Sequence, residues 1–192
     1  LRQAGYGVLL YDARANGESS GDEVTFGYRE RHDLVAAVHF LKQRGLERIA
    51  CLGVSQGGAT ILYAADQLQD VKCAICESVY DEMEHAVDRR TRHYIGIPGW
   101  LAASALVPFA ERRLGLSMDD MKPSARIAAL PCPVLIISGE EDERTWPEDT
   151  SRLFEAAREP KELWMIPKAR HEDLFRYPGY QEKVASFLKR YL

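Results

Sequence analysis

Residues 53–57 read GVSQG, inside the longer run IACLGVSQGGATILYAA at 49–65. A serine hydroxyl attacks a carbonyl only when a base removes its proton and preorganised donors meet the oxygen that becomes negative. The flanking apolar runs supply a strand ending at Gly53 and a helix beginning after Ser55, the setting in which G-x-S-x-G forms a sharp elbow that lifts the hydroxyl above a sheet. Gly53 and Gly57 are expected at the two places where side chains would crowd that turn, and the Gln56 N–H, at the helix start, is aimed at the developing oxyanion.

A nucleophilic serine needs a base and a group to orient it. PVLIISGEED delivers Asp142 just past a strand end, with Glu140, Glu141 and Glu143 beside it; the G-x-x-D spacing from Gly139 favours Asp142. Glu77 and Asp81, after the preceding strand, are the alternative acids. Of His32, His39, His85, His93 and His171, His171 alone follows the last apolar strand and precedes the last helix, which makes it the candidate base.

These side chains must be held by a scaffold, and the chain alternates short β-like runs with helical patterns. Strands are expected at GVLLYD (7–12), RIACLG (48–53), VKCAICE (71–77), PVLIIS (133–138) and ELWMIP (162–167). Helices are expected at 28–44, with Gly45 as C-cap, and at 56–68, 147–158 and 181–192. Apolar strands alternating with helices imply an α/β fold: a mostly parallel sheet with helices on both faces and ligands at the strands' carboxyl ends. Residues 80–126 break the alternation and are read as a small helical cap within a single domain spanning 1–192. Tyr94, Ile95, Ile97, Trp100 and Leu101 of that cap either line an apolar substrate pocket or pack the cap onto the core.

The 192 residues are 46% apolar and 28% charged, enough for one sizeable core, and the net charge of -4 gives no electrostatic footprint for nucleic acid. No apolar run approaches the roughly 18 residues a membrane span needs. Cys73 and Cys76 lie three apart on an expected strand and so face opposite ways, which disfavours a redox pair or a metal knuckle. With Cys51 and Cys132 they read as structural thiols in a reducing, cytoplasmic compartment.

YDARANGESSG, TFGYRERHDL, GVSQGG, CPVLIISGEEDERTWP and ARHEDLF, in this order, resemble successive motifs of the α/β-hydrolase superfamily, in its serine-hydrolase branch of bacterial-type esterases and serine aminopeptidase-like enzymes. The resemblance runs over essentially the whole chain. It implies Ser55 as nucleophile, Asp142 as acid, His171 as base and the Gln56 amide as half of an oxyanion hole, with no metal or organic cofactor. Asn16 stands where the group commonly has histidine, and Lys168 and Arg170 replace small residues before the histidine. The resemblance also implies a second oxyanion donor and a strand between 7–12 and 48–53, both encoded before Leu1, so that 1–192 would be the carboxyl-terminal part of the fold. The expected reaction is cleavage of a small-molecule carboxylic ester or thioester through an acyl-enzyme. Amide cleavage by a peptidase of the same fold is the alternative within the class, and a non-catalytic interaction module the alternative outside it.

Overall fold

The computed structural model describes every residue except 97, 98, 172 and 173, and omits the side chains of 99, 100, 102, 103 and 105. Four strands, β1 (Ile49–Val54), β2 (Val71–Glu77), β3 (Val134–Gly139) and β4 (Lys161–Ile166), form one parallel sheet in the order β1-β2-β3-β4. The helices are α1 (Arg31–Gln43), α2 (Gln56–Tyr63), α3 (Met83–Ile95), α4 (Gly99–Leu114), α5 (Pro123–Arg126), α6 (Pro147–Ala156) and α7 (Tyr180–Tyr191).

Side chains alternate across a strand, and here the alternation sorts the core into two layers. Ala74, Cys76, Val134 and Ile136 face a cluster that holds Leu34 and Val38 of α1, Leu62 of α2 and Leu153 of α6. Cys73, Ile75, Leu135 and Ile137 face the other, with Val184, Phe187 and Leu188 of α7. Both faces of β2 and β3 are therefore buried, which is why these strands read as continuous apolar runs. Cys73 and Cys76 fall in different layers, and all four cysteines are free. Burial pushes the thiols up, Cys73 to about 11 and Cys51 and Cys132 to about 12, so they are inert at neutral pH.

Two expectations need correction. GVLLYD at 7–12 is not a strand: these residues join no ladder, and Leu10 is 88% exposed. A strand exists only with a hydrogen-bonding partner, and β1, at the sheet's edge, pairs with β2 alone among the described residues. Leu52 and Val54 of β1 are correspondingly exposed. The second helix is also shorter than expected. The Ala64 N–H is shared between the Thr60 and Ile61 carbonyls, and the chain tightens into a 3₁₀ turn at Ala65–Gln67. Gly45, with φ 77°, closes α1 as its left-handed residue, and the Leu46 N–H reaches back to the Leu41 carbonyl.

The 80–126 segment consists of α3 and α4, which pack on each other, a 3₁₀ turn at Met118–Asp120, and α5. Its root is fixed by an ionic cluster built on two buried carboxylates, Asp81 and Asp149. Asp81 holds His85 Nδ1 at 2.9 Å and pairs with Arg152 of α6, while Arg89 of α3 meets Asp149 of α6 at 2.6 Å. Arg152 also reaches Asp149 at 2.6 Å. No helix among the described residues is long and apolar enough to cross a membrane.

Candidate active site

Ser55 sits between β1 and α2 with φ 52° and ψ -112°, a conformation that side chains avoid and that costs on the order of 1–3 kcal/mol. Three features hold it there. Its N–H donates to the Glu77 carbonyl at 2.7 Å, its carbonyl accepts the Ala59 N–H at 3.0 Å, and the start of α2 lies directly over the end of β1. That last approach is possible because Gly53 has no side chain: a Cβ there would stand 2.3 Å from the Gly57 carbonyl carbon and 2.4 Å from its oxygen. Gly58, unnoticed in the sequence, is also crowded, though most closely by a side chain rather than backbone: its Cβ would fall 2.2 Å from Val79 Cγ2. Gly57 is not, because a Cβ at that position meets nothing within 4 Å. The expected crowding thus applies to Gly53 and Gly58, the helix turning Gly58, rather than Gly57, toward the segment that follows β2.

The loop after β3 and the turn after β4 are sewn together. The Glu140 N–H donates to the Ile166 carbonyl at 3.0 Å and the Glu141 N–H to the Ala169 carbonyl at 2.9 Å. Gly139 permits this contact, for its Cβ would lie 2.1 Å from the Ala169 oxygen. Joined in this way, the two segments bring Asp142 to His171: Nδ1 of His171 lies 3.0 and 2.9 Å from the two Asp142 carboxylate oxygens, and Nε2 lies 3.0 Å from Ser55 Oγ. With Nδ1–H donating to Asp142, Nε2 is left to accept the serine proton.

Asp142 and His171 are buried, and Ser55 is half-buried. Burial by itself would raise the Asp142 carboxyl. The His171 hydrogen bond and charge, with further bonds from Thr145, outweigh it and hold the group below the ordinary carboxylate range. Thr145 donates its hydroxyl at 2.6 Å and its N–H at 2.9 Å, and the Arg144 N–H adds a third bond at 2.9 Å. Sequence reading missed Thr145. The signal was present in DERT, an aspartate followed by residues whose amides fold back on it.

The alternative acids are committed elsewhere. Glu77 accepts a hydrogen bond from the Tyr180 hydroxyl, and Asp81 belongs to the cluster with His85 and Arg152. Asp81, His85 and Asp149 bring three potential metal-ligand atoms within 4.8 Å of one another, but Arg152 and Arg89 already neutralise the two carboxylates, so this donor set fits a salt-bridge cluster better than a cation. The first residue of α2 is Gln56, whose N–H has no carbonyl one turn earlier in the helix to accept it.

Of the apolar residues expected to line a pocket or pack on the core, Tyr94, Ile95 and Leu101 do neither to any great extent, being 61%, 60% and 48% exposed. Ile97 and the Trp100 side chain lie outside the described residues. A cavity of about 160 Å³ lies between α3, α4 and the core, and it is walled by other residues of the two helices, including Met83 and Val87 of α3 and Val107 and Leu114 of α4. A Thr25–Glu30 knot shapes its floor: the buried Glu30 carboxylate accepts the Thr25 N–H and hydroxyl and the Gly27 N–H, holding Phe26 at φ 53°. Gly27 then rests against Gln56 and Thr60, where a Cβ would lie 2.9 Å from the Thr60 nitrogen.

A parallel sheet covered on both faces, with a serine at a strand-to-helix elbow facing a histidine and an aspartate from later strand ends, is the α/β-hydrolase fold. Within that superfamily the chain belongs to the prolyl oligopeptidase family, which matches residues 1–192. It is 30% identical over 190 residues to the protein YqkD of Bacillus subtilis (strain 168), covering 96% of this chain and 62% of that one. The chain thus spans about three fifths of the length of this curated relative. Among solved structures, the Pyrococcus furiosus esterase Pf2001 superposes with a TM-score of 0.80 at 25% identity over 98% of this chain and 72% of that one. The α/β hydrolase GrgF from Penicillium sp. sh18 shares the fold, with a TM-score of 0.70 at 24% identity over 95% and 78% of the two chains.

Proposed function

We propose that the protein is a serine hydrolase that cleaves a carboxylic ester through an acyl-enzyme, with Ser55 as nucleophile, His171 as general base and Asp142 as the group that orients and stabilises the imidazolium. The observation that carries this reading is the continuous chain from Ser55 Oγ to His171 Nε2 at 3.0 Å and from Nδ1 to the Asp142 carboxylate at 2.9 Å. As Oγ bonds to the carbonyl carbon, its proton passes to Nε2 and the electron pair of the C=O moves onto oxygen, where the Gln56 N–H stabilises it. Collapse of the tetrahedral species expels the alcohol, which takes the Nε2 proton, and water then repeats the sequence on the acyl-enzyme. Residues 80–126 act as a cap above this centre.

Similarity to the Pf2001 esterase supports an ester as substrate. Membership of the prolyl oligopeptidase family supports a second reading, amide cleavage by the same residues. The test is covalent labelling with a fluorophosphonate followed by mass spectrometry, and turnover of an activated ester against an aminoacyl p-nitroanilide. An adduct on Ser55 that is absent from Ser55→Ala is expected. Undiminished labelling of that variant would remove the assignment, and faster anilide turnover would replace esterase by peptidase.

A further inference from the structure

The cavity beneath α3 and α4 is apolar except at one point. Phe26 and Tyr80 line it from the core, with the Tyr80 hydroxyl already donating to the Phe26 carbonyl at 2.7 Å, and methionine and aliphatic side chains close the rest. Among its lining residues Arg90 is the one that carries a charge.

Arg90 differs from its neighbours in what it meets. Arg89, one position earlier and therefore about 100° around α3, points to α6 and pairs with Asp149 at 2.6 Å. Arg92 pairs with Asp88 at 2.8 Å. Arg90 is half-buried, yet among the described residues its guanidinium reaches no carboxylate; its bond is to the Ala86 carbonyl at 3.1 Å, one turn back in its own helix. A guanidinium carries five N–H donors in a planar fork suited to a carboxylate. Withdrawn from water without a counter-ion, it is costly to keep, and an incoming anion would relieve that cost. The cavity adjoins the Ser55 elbow through its floor: Phe26 lines it, and the next residue, Gly27, packs on the start of α2, where a Cβ would lie 3.1 Å from the carbonyl oxygen of Gln56, the residue after Ser55. Burial pulls the Arg90 pKa below its ordinary value.

The cavity's volume limits the apolar part of the ligand. At about 160 Å³ it matches the roughly 150 Å³ that suffices for a benzene ring, a group of about six carbons.

Resting on the serine-hydrolase reading, we propose that the cavity is a substrate subsite in which Arg90 is the anchor for a carboxylate, so that the preferred esters combine an apolar group of about six carbons with a negative charge. The charge can sit on the acyl or on the alcohol side of the scissile bond, and matched ester pairs separate the two. On the acyl side, mono(4-nitrophenyl) adipate is compared with 4-nitrophenyl hexanoate. On the alcohol side, 4-carboxyphenyl hexanoate is compared with its neutral methyl ester, 4-(methoxycarbonyl)phenyl hexanoate. In Arg90→Gln, kcat/KM for the charged member of one pair is expected to fall about 10- to 100-fold, the range of a hydrogen-bonded charge pair, while its neutral partner stays within about twofold. Arg90→Lys should recover part of the loss. A parallel fall of both members, which a merely structural role would produce, overturns the proposal, as does no change in either pair.

Calorimetric titration with hexanoate reads the anchor without turnover. Binding to the wild-type protein that is lost in Arg90→Gln supports it even if none of the four esters is cleaved, in which case the hydrolase reading fails and the anion site stands. Wild-type protein that does not bind hexanoate, or an Arg90→Gln variant that binds it equally well, overturns the anchor.

Discussion

Gly53→Ala tests whether the reactive geometry depends on the close approach of β1 and α2. The added Cβ would stand 2.3 Å from the Gly57 carbonyl carbon, 2.4 Å from its oxygen and 2.6 Å from the Gly58 nitrogen, whereas ordinary contact begins near 3.4 Å. All three obstacles are backbone, so no side chain can swing aside, and the start of α2 must move from the end of β1 by about 1 Å. Ser55 lies between the two, and the same displacement would stretch its 3.0 Å contact with His171 Nε2 beyond hydrogen-bond range. A misplacement of about 1 Å typically costs on the order of 10²-fold in rate, and overpacking of this kind costs about 1–3 kcal/mol of stability. Gly57→Ala is the control: it alters the same motif, but its Cβ has open space. The assay is kcat for a 4-nitrophenyl ester, the rate of fluorophosphonate labelling and the urea midpoint for both variants. Gly53→Ala should lose about two orders of magnitude in both rates while Gly57→Ala stays near wild type. A Gly53→Ala protein within threefold of wild type would refute the steric argument, and equal losses in both variants would show that the motif's glycines serve something other than this contact.

The depressed Asp142 carboxyl contributes stability that is present above its unfolded pKa of about 3.9 and is lost as pH falls through the lower folded value. Thermal melts between pH 2 and 6 should therefore show an acid limb that is shallower in Asp142→Asn, a variant expected to lose on the order of 10⁴ in kcat at neutral pH; an unchanged limb would contradict the direction of the shift. Asp149→Ala leaves Arg89 buried without its carboxylate and removes one of the two carboxylate partners of Arg152, so urea denaturation should register a loss of about 3–5 kcal/mol, and a loss below about 1 kcal/mol would mean the cluster does not tie α3 to α6.

Much of the scaffold was legible because its signals are local. The apolar runs of β2 and β3, the helical spacing of Leu34, Val38 and Leu41, and Gly45 as a left-handed terminator each act within a few residues, and they emerged near their expected bounds. The serine at the elbow was legible for the same reason, strand, turn and helix being contiguous in the chain. His171 was legible from element order alone.

What depended on distant partners was not. The G-x-x-D spacing favoured Asp142 over Glu77 and Asp81, but the contacts that separate them are distant ones: Gly139 docks on Ala169, Tyr180 reaches Glu77 from α7, and Arg152 reaches Asp81 from α6. The same holds for GVLLYD, whose composition suits a strand but whose state is set by a neighbour across a ladder, and for Gly58, whose need for a bare backbone comes from Val79 rather than from the motif around it. The amino-acid order thus determined the periodic elements and the candidate side chains they carry, because backbone geometry and alternation operate over short spans. How Asp142 is brought to the histidine, which glycine is crowded and which arginine, among the described residues, reaches no carboxylate were decided by tertiary structure, because sterics and buried charge act between residues that only the folded chain brings together.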